Sequence, residues 1–475
     1  MGQINADSVA SHGNLPDIPL IIDGVATKSS PESTFNVYSH AAGEVVYTAQ
    51  SANVEAAQRA AEAASTAFAT WKYTNAIVRR DLLFRVANKM VEKTEDLVHS
   101  QMLETSCNES WARFNVSYAI DLLQDLASRV TSISGEIPPT QDWNHMALVL
   151  KQPMGVILTI APWNAAVILA TRAVAGRIAA GCCVVFKASE LCPQTHHILS
   201  RAFWDAGLPQ GVLNVIQTQR EDAAATTEAL IAHRAVRKIE FIGSRTIGNI
   251  IGQMAAKYTK PVFMELGGKA PAIVLSDADL NKAADLCLTG MTAHHGQICM
   301  STERILVQDT IASAFCALLK EKAGAYDAGL PVTRVGLNAS SKNVVAAGKL
   351  GAQFIIGGPW NDEHSLRPTL LTGVDKDMAI FDEESFGPSA SLYTFNNDAE
   401  AIAIANGTEY GLNAAIRTTD LERGIKMARE IEAGQVHLNC TTNYDEAVTL
   451  PIGEMKASGW GRSNGSWSLN EYLDL

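Results

Sequence analysis

Cys299 has the setting of a nucleophile. It lies in His294-His295-Gly296-Gln297-Ile298-Cys299-Met300-Ser301-Thr302-Glu303-Arg304, with no second thiol two or three residues away. Such a thiol attacks a carbonyl carbon once its thiolate fraction is raised and its sulfur is reachable. Thirty-four positions upstream, Glu265 stands in Met264-Glu265-Leu266-Gly267-Gly268-Lys269. The two glycines let backbone approach a ligand closely, and the carboxylate suits a general base that takes a proton from water. Lone thiol and lone carboxylate together suggest covalent catalysis; the plain alternatives are a buried structural thiol and a carboxylate capping the next turn. Asn164, in Pro162-Trp163-Asn164, offers an amide that can donate to an oxyanion, although Asn after Pro is also an ordinary turn residue.

These groups need a scaffold, and the chain is long enough for one: 475 residues, 47% hydrophobic, support two or three domains with separate cores. Net charge is −12, without a basic run or Arg/aromatic interleaving to track a phosphate backbone, so nucleic acid is not an expected partner. The eight cysteines have neither disulfide-framework nor zinc-site spacing, which suits a reducing compartment. No signal peptide, acylation pattern or retention address is evident at the termini, so a cytoplasmic location is expected. The uncharged run 154–171 is long enough to raise a membrane span. Pro162, Trp163 and Asn164 in its middle point instead to a buried strand, loop and helix.

The opening third reads as mostly helix after a short strand and hairpin turn at 20–24: helices over 54–68, 76–99 and 104–130, the last broken near Asn108. Residues 145–152 alternate like an extended strand that leaves the main body. Strands at 156–160, 184–187, 212–216 and 238–242 then alternate with helices at 166–180, 195–206 and 222–232, which implies a doubly wound parallel sheet. A second alternating series starts at Pro261, with strands at 271–275, 304–308, 353–356, 390–395, 413–416 and 436–439 and helices at 279–295, 310–322, 398–406 and 420–432. The tail after Gly461 is short enough to serve as an added strand or a subunit contact.

Gly-Gln-x-Cys at 296–299, following Glu-Leu-Gly-Gly-Lys at 265–269, resembles the NAD(P)-dependent aldehyde dehydrogenase superfamily, and the resemblance runs from about residue 20 to the end. It implies an α/β fold with a Rossmann-like NAD-binding lobe (1–130 and 153–262), a second α/β catalytic lobe (263–440), and a small β oligomerisation arm with bridging segments (131–152 and 441–475). It further implies Cys299 as nucleophile, Glu265 as base for thioester hydrolysis, and Asn164 with the Cys299 N–H as oxyanion donors.

The cofactor implied is NAD. In Lys187-Ala188-Ser189-Glu190, Lys187 and Glu190 would hold the adenosine ribose, and Glu190 would repel a 2′-phosphate. Gly243-Ser244-Arg245-Thr246-Ile247-Gly248 follows a strand and opens a helix, so its donors would face a pyrophosphate; Arg245 stands where the family usually has Thr. The family's Gly-rich segment after Asn214-Val215 is replaced by Gln217-Thr218-Gln219-Arg220. Read alone, Glu383-Glu384-Ser385-Phe386-Gly387-Pro388 is a turn; by resemblance, Glu384 meets the nicotinamide ribose and Phe386 the nicotinamide ring. Ile160, Trp163, Phe241, Ile247 and Leu266 complete the implied cofactor set. The segment Pro451-Ile452-Gly453-Glu454-Met455-Lys456-Ala457-Ser458-Gly459 departs from the family's C-terminal motif at Ile452 and Glu454, which bears on substrate access.

Within the superfamily, Met300–Arg304, the Asn164–Leu169 stretch before a helix carrying Arg172, and the loop from Asn439 to Glu446 look most like the salicylaldehyde and vanillin dehydrogenase branch. Trp111, Phe114, Asn115 and Tyr118 share one or two adjoining faces of a helix. Trp111 and Tyr118, with Ile298 and Tyr444, would line a flat aromatic tunnel, and Arg172 would attract a phenolate or ring hydroxyl. Ordinary core packing for Trp111 and a structural ion pair for Arg172 stay open. The expectation is NAD-dependent oxidation of a hydroxybenzaldehyde-type aldehyde to the acid by a homodimer or homotetramer, with no metal and no membrane. The alternatives are a larger biosynthetic or aliphatic aldehyde, or a catalytically silent binding relative.

Overall fold

A computed structural model describes residues 15–29, 33–358, 365–443 and 447–475. The chain divides into two compact units: residues up to Glu240 with Gln253–Val262 and Ser468–Leu475, and Phe241–Gly252 with Phe263–Trp467.

The first unit opens with helices α1 (Val54–Trp71), α2 (Ala76–Glu92), α3 (Thr94–Thr105) and α4 (Glu109–Val130). The expected helix over 76–99 is two, because the chain turns at Lys93. Ser106 adopts a left-handed conformation and the Asn108 side chain accepts from Trp111 N at 2.8 Å, so the anticipated break has a helix end and a fresh N-cap as its cause. Helices α5 (Ala166–Ala180), α6 (Pro193–Asp205) and α7 (Ala223–Ala232) then alternate with strands, in the spatial order 236–242, 156–160, 183–187, 213–216, 20–22, 25–27. Strands Val156–Ile160, Cys183–Lys187 and Leu213–Ile216 run parallel in register, Ile160 opposite Lys187 and Lys187 opposite Ile216. Their continuous apolar runs fit a sheet covered on both faces, and Ile157, Leu158, Val184, Val185 and Phe186 have no exposed surface. The sequence order reverses direction beside Val156–Ile160, the point at which open α/β sheets place their ligands.

The expected strand at 145–152 is not one. Its alternation is genuine, but a strand needs a ladder partner, and among the described residues the segment makes a single bridge, Glu136 to Val149, before the short pairing of Gln152–Pro153 with Leu473–Asp474. The two-stranded pairing uses the chain's tail as an added strand. A hairpin of Thr34–Ser39 and Glu44–Gln50 is an element the sequence reading passed over.

The second unit begins its helices with α8 (Arg245–Lys257), followed by α9 (Leu280–Thr292), α10 (Ala312–Ala323), α11 (Arg334–Lys349), α12 (Asp398–Asn406) and α13 (Leu421–Glu430). Its seven-stranded sheet has the order 353–356, 369–372, 389–395, 302–308, 270–274, 413–417, 435–438, parallel except for the antiparallel edge strand Gln353–Ile356. Ala270 pairs with Thr302 and Arg304 with Ser391. That register brings the segments just before three adjacent strands to one end of the sheet, so Glu265, Cys299 and Phe386 arrive together although they are far apart in sequence.

Candidate active site

Three successive left-handed residues wind the turn before the thiol: His294 (φ 47°), His295 (φ 59°) and Gly296 (φ 69°). Each non-glycine residue there carries a cost of about 1–2 kcal/mol, so the turn persists only because it is braced. Gln297 does the bracing. Its N–H and its Nε2 both donate to the His294 carbonyl at 3.0 Å, and its Oε1 accepts from Val332 N at 2.9 Å. Ser301 Oγ donates to the Gly296 carbonyl at 3.1 Å. A Cβ on Gly296 would sit 2.3 Å from the Gly387 carbonyl, which explains why this position has none. Burial holds the His294 pKa down to about 3, with His295 adding to it, so the ring is neutral beside the turn.

The result of this winding is that Cys299 Sγ lies 3.8 Å from Glu265 Oε1. Cys299 is half-buried and Glu265 is 1% exposed. The backbone around them is in contact: a Cβ on Gly268 would meet the Cys299 carbonyl at 2.3 Å. Ser458 clamps the Glu265 loop from the C-terminal motif, its carbonyl accepting from Leu266 N at 2.8 Å and its hydroxyl donating to Gly267 O at 2.7 Å. Ile452 and Glu454, the two departures in that motif, are both buried, and the Glu454 carbonyl accepts from Arg462.

Glu384 lies against the same loop, its Oε1 accepting from Gly268 N at 3.1 Å. Burial first, and the Glu303 carboxylate second, push its pKa up to about 8. Phe386 sits next to it with φ 47°. What holds this strained segment is a buried ion pair that the sequence reading did not assign: Lys269 Nζ lies 2.5 Å from Glu303 Oε2 and also donates to the Glu383 carbonyl and to Ser385 Oγ. Glu303 in turn accepts from Ser385 N at 2.9 Å and Phe386 N at 3.2 Å. A signal was present, since a Lys just before one strand and a Glu near the start of its paired neighbour face each other across the register, but isolated charges in sequence read as solvated ones.

Also in the second unit, Gly243 N donates to the Glu265 carbonyl at 3.0 Å, and Ser244 opens α8, its hydroxyl accepting from Ile247 N at 3.4 Å. A Cβ on Gly243 would be 2.7 Å from the Phe241 ring, and Leu266 is buried. Arg245 does not lie over the helix start as a free cation: it is paired with Glu409 and stacked 5.6 Å from the Tyr410 ring centre.

The first unit carries Ile160, Trp163, Asn164, Lys187, Glu190, Trp111, Tyr118 and Arg172. Lys187 ends its strand and is buried, and desolvation lowers its pKa against the opposing pull of Glu190. Trp111 Nε1 donates to the Asn164 carbonyl at 3.1 Å, so α4 is tied to the Asn164 turn. Rings follow one another along α4, Trp111 to Phe114 at 5.7 Å and Phe114 to Tyr118 at 5.9 Å. Arg172 is buried on α5 and its carbonyl accepts from Arg177. Tyr444 falls outside the described residues.

The sequence pattern of the aldehyde dehydrogenase family matches residues 26–475. The chain belongs to that family. This aldehyde dehydrogenase is 39% identical over 469 residues to a vanillin dehydrogenase of Pseudomonas fluorescens, covering 97% of each chain. Its fold matches the crystal structure of a salicylaldehyde dehydrogenase from Pseudomonas putida G7 complexed with salicylaldehyde, with a TM-score of 0.93, 36% identity and 97% of each chain covered. A betaine aldehyde dehydrogenase from Staphylococcus aureus in complex with NAD+ matches with a TM-score of 0.92 at 29% identity, over 96% of this chain and 93% of that one. The two-lobed α/β architecture read from the sequence is therefore that of the family, its reaction is oxidation of an aldehyde, and its cofactor is NAD. The residues fit that cofactor: a Lys and a Glu beside a parallel strand end, a helix start whose glycine abuts an aromatic ring, and a carboxylate next to two glycines. No helix among the described residues is long and apolar enough to cross a membrane.

Proposed function

We propose that this aldehyde dehydrogenase oxidises a hydroxybenzaldehyde-type substrate to the carboxylic acid, with Cys299 as nucleophile and Glu265 as general base. The observation that carries the mechanism is the 3.8 Å approach of Cys299 Sγ to Glu265 Oε1 on a braced turn. Glu265 is placed to take the thiol proton, so the sulfur attacks the carbonyl carbon and a thiohemiacetal forms. The Asn164 amide and the Cys299 N–H donate to the oxyanion, a role taken from the family motif. The hydride that leaves the thiohemiacetal carbon would pass to NAD, which supplies the acceptor when bound. Glu265, its first proton released to solvent, then draws a proton from the water that hydrolyses the Cys299 thioester. Lys187 and Glu190 hold the adenosine ribose, Gly243, Ser244 and the start of α8 the diphosphate, and Glu384 with Phe386 the nicotinamide riboside. Glu190 favours NAD over NADP, because a 2′-phosphate would meet its carboxylate.

The aromatic substrate is supported by the ring series Trp111, Phe114 and Tyr118 on α4 and by relatives named for vanillin and salicylaldehyde. Arg172 supplies the attraction for a ring hydroxyl. A cytoplasmic homodimer or homotetramer completes the reading. Ile137, Trp143, Met146, Leu148 and Leu150 are exposed along 137–150, an apolar set that suits burial against a second copy. The test is NADH formation across hydroxybenzaldehydes and straight-chain aldehydes, with NAD and NADP each supplied. Preferential NAD-dependent turnover of the aromatics is expected; preference for a straight-chain aldehyde would remove the substrate assignment.

A further inference from the structure

The Lys187–Glu190 loop is fastened by a side chain outside its motif. His196, on α6, is fully buried, with its ring centre 5.1 Å from that of Phe186. Its Nδ1 lies 3.2 Å from Ser189 N. A backbone N–H can only donate, so Nδ1 is the acceptor and the ring proton sits on Nε2. Cys192 Sγ is 3.5 Å from Nε2. One imidazole thus accepts from the Lys187–Glu190 loop at Ser189 and meets Cys192, the residue just before α6. Burial keeps its pKa down at about 3, and the arrangement needs that neutrality: a proton on Nδ1 would face the Ser189 N–H donor to donor.

The helix that carries the ring is itself pinned. Glu104, fully buried at the end of α3, accepts from Gln194 N and Thr195 N at 2.9 Å each and from Thr195 Oγ1 at 2.6 Å. A carboxylate on the first turn of α6 satisfies donors that a helix start leaves unpaired. Ser189 adds a brace within the loop, its Oγ accepting from Leu191 N at 3.2 Å.

We infer that His196 is a positioning residue for the cofactor-ribose loop, held in place by Glu104 through α6. The inference rests on the proposed assignment of Lys187 and Glu190 to the adenosine ribose. It separates this side chain from a space-filling one, because its Nδ1 accepts from the backbone of that loop. Removing the ring loosens the Lys187–Glu190 loop, so NAD affinity falls while the aldehyde KM changes little.

The experiment compares wild type, His196→Leu, which fills the space without the bonds, and His196→Gln, which keeps one acceptor and one donor. NAD Kd is read by protein fluorescence, kcat and aldehyde KM by steady-state kinetics, and folding by thermal melting. His196→Leu should raise the NAD Kd about tenfold, the scale of a lost buried hydrogen bond. It should leave kcat at saturating NAD and aldehyde KM within about twofold, and His196→Gln should recover most of the loss. An unchanged NAD Kd in folded His196→Leu, or equal losses in Leu and Gln, overturns the positioning role. If His196→Leu does not fold, the Gln variant decides: near wild-type NAD Kd supports the role, and a loss as large in aldehyde KM as in NAD Kd overturns it. Wild type that fails to bind NAD would instead remove the ribose assignment beneath the inference.

Discussion

In the first unit, Lys187 closes a parallel strand and Asn164 follows the end of another; in the second, Cys299 comes just before the amino end of Thr302–Gln308, and Glu265 closes a short strand and leads into Ala270–Val274. The means of holding them differ as much as the location. The Lys187 loop is fixed by neutral hydrogen bonds from Ser189 and His196, in ordinary backbone. The Cys299 loop is fixed by three left-handed residues, by backbone in contact with backbone at Gly268, and by the buried Lys269–Glu303 pair. A recognition loop has to present donors and acceptors over a broad surface, whereas a nucleophile has to stand at one spot. Strain and buried charge enforce the second requirement and make it intolerant of change.

The largest contrast should come from the nucleophile. Cys299→Ala should lower kcat by roughly 10³-fold or more, yet leave NAD binding near wild type in a fluorescence titration, because the thiol is not among the groups assigned to the cofactor. Next in size is the ion pair. Lys269→Met strands Glu303 in the interior and should lower the unfolding free energy by about 3–5 kcal/mol, read by urea denaturation, with activity lost as the Ser385–Phe386 segment is released.

The smallest effect belongs to the first unit's buried carboxylate. Burial raises the Glu104 pKa to about 7 despite the Thr195 and Gln194 donors. A folded-state pKa above the unfolded one means stability that is present below about pH 4.5 and lost as pH rises through about 7. The groups that feel this charge are Tyr47 and Cys192. Wild type should therefore lose melting temperature between pH 5 and 7 relative to Glu104→Gln, whose curve should be flatter over that window; parallel curves would assign the pH response elsewhere.

The contrast between the loops also governs what could be read from sequence. Most strands of both sheets were legible because each is a short, largely apolar run, although Thr369–Thr372 and Val262–Glu265 were passed over, and Cys299 and Glu265 were legible because a thiol and a carboxylate stood in glycine-rich company. Helix α11 was missed: only Leu337, Ser340, Val344 and Ala347 of its sixteen residues are buried, too narrow a stripe to register. Segment 145–152 misled in the opposite direction, since alternation reports a pattern and not a partner. The supports of the site were the least visible. Gln297 as a brace, Ser458 as a clamp, Lys269 with Glu303, and His196 all act through contacts set by register and packing; the first three stand in or beside recognisable motifs, but the motifs do not say which partners they meet.

Intact-mass and peptide analysis of Glu265→Gln enzyme, quenched after mixing with NAD and a hydroxybenzaldehyde, tests the central claim most directly. With water activation impaired, the acyl group should accumulate on the peptide containing Cys299. Acylation of a different cysteine, or acid formed at the wild-type rate with no covalent adduct, would contradict it.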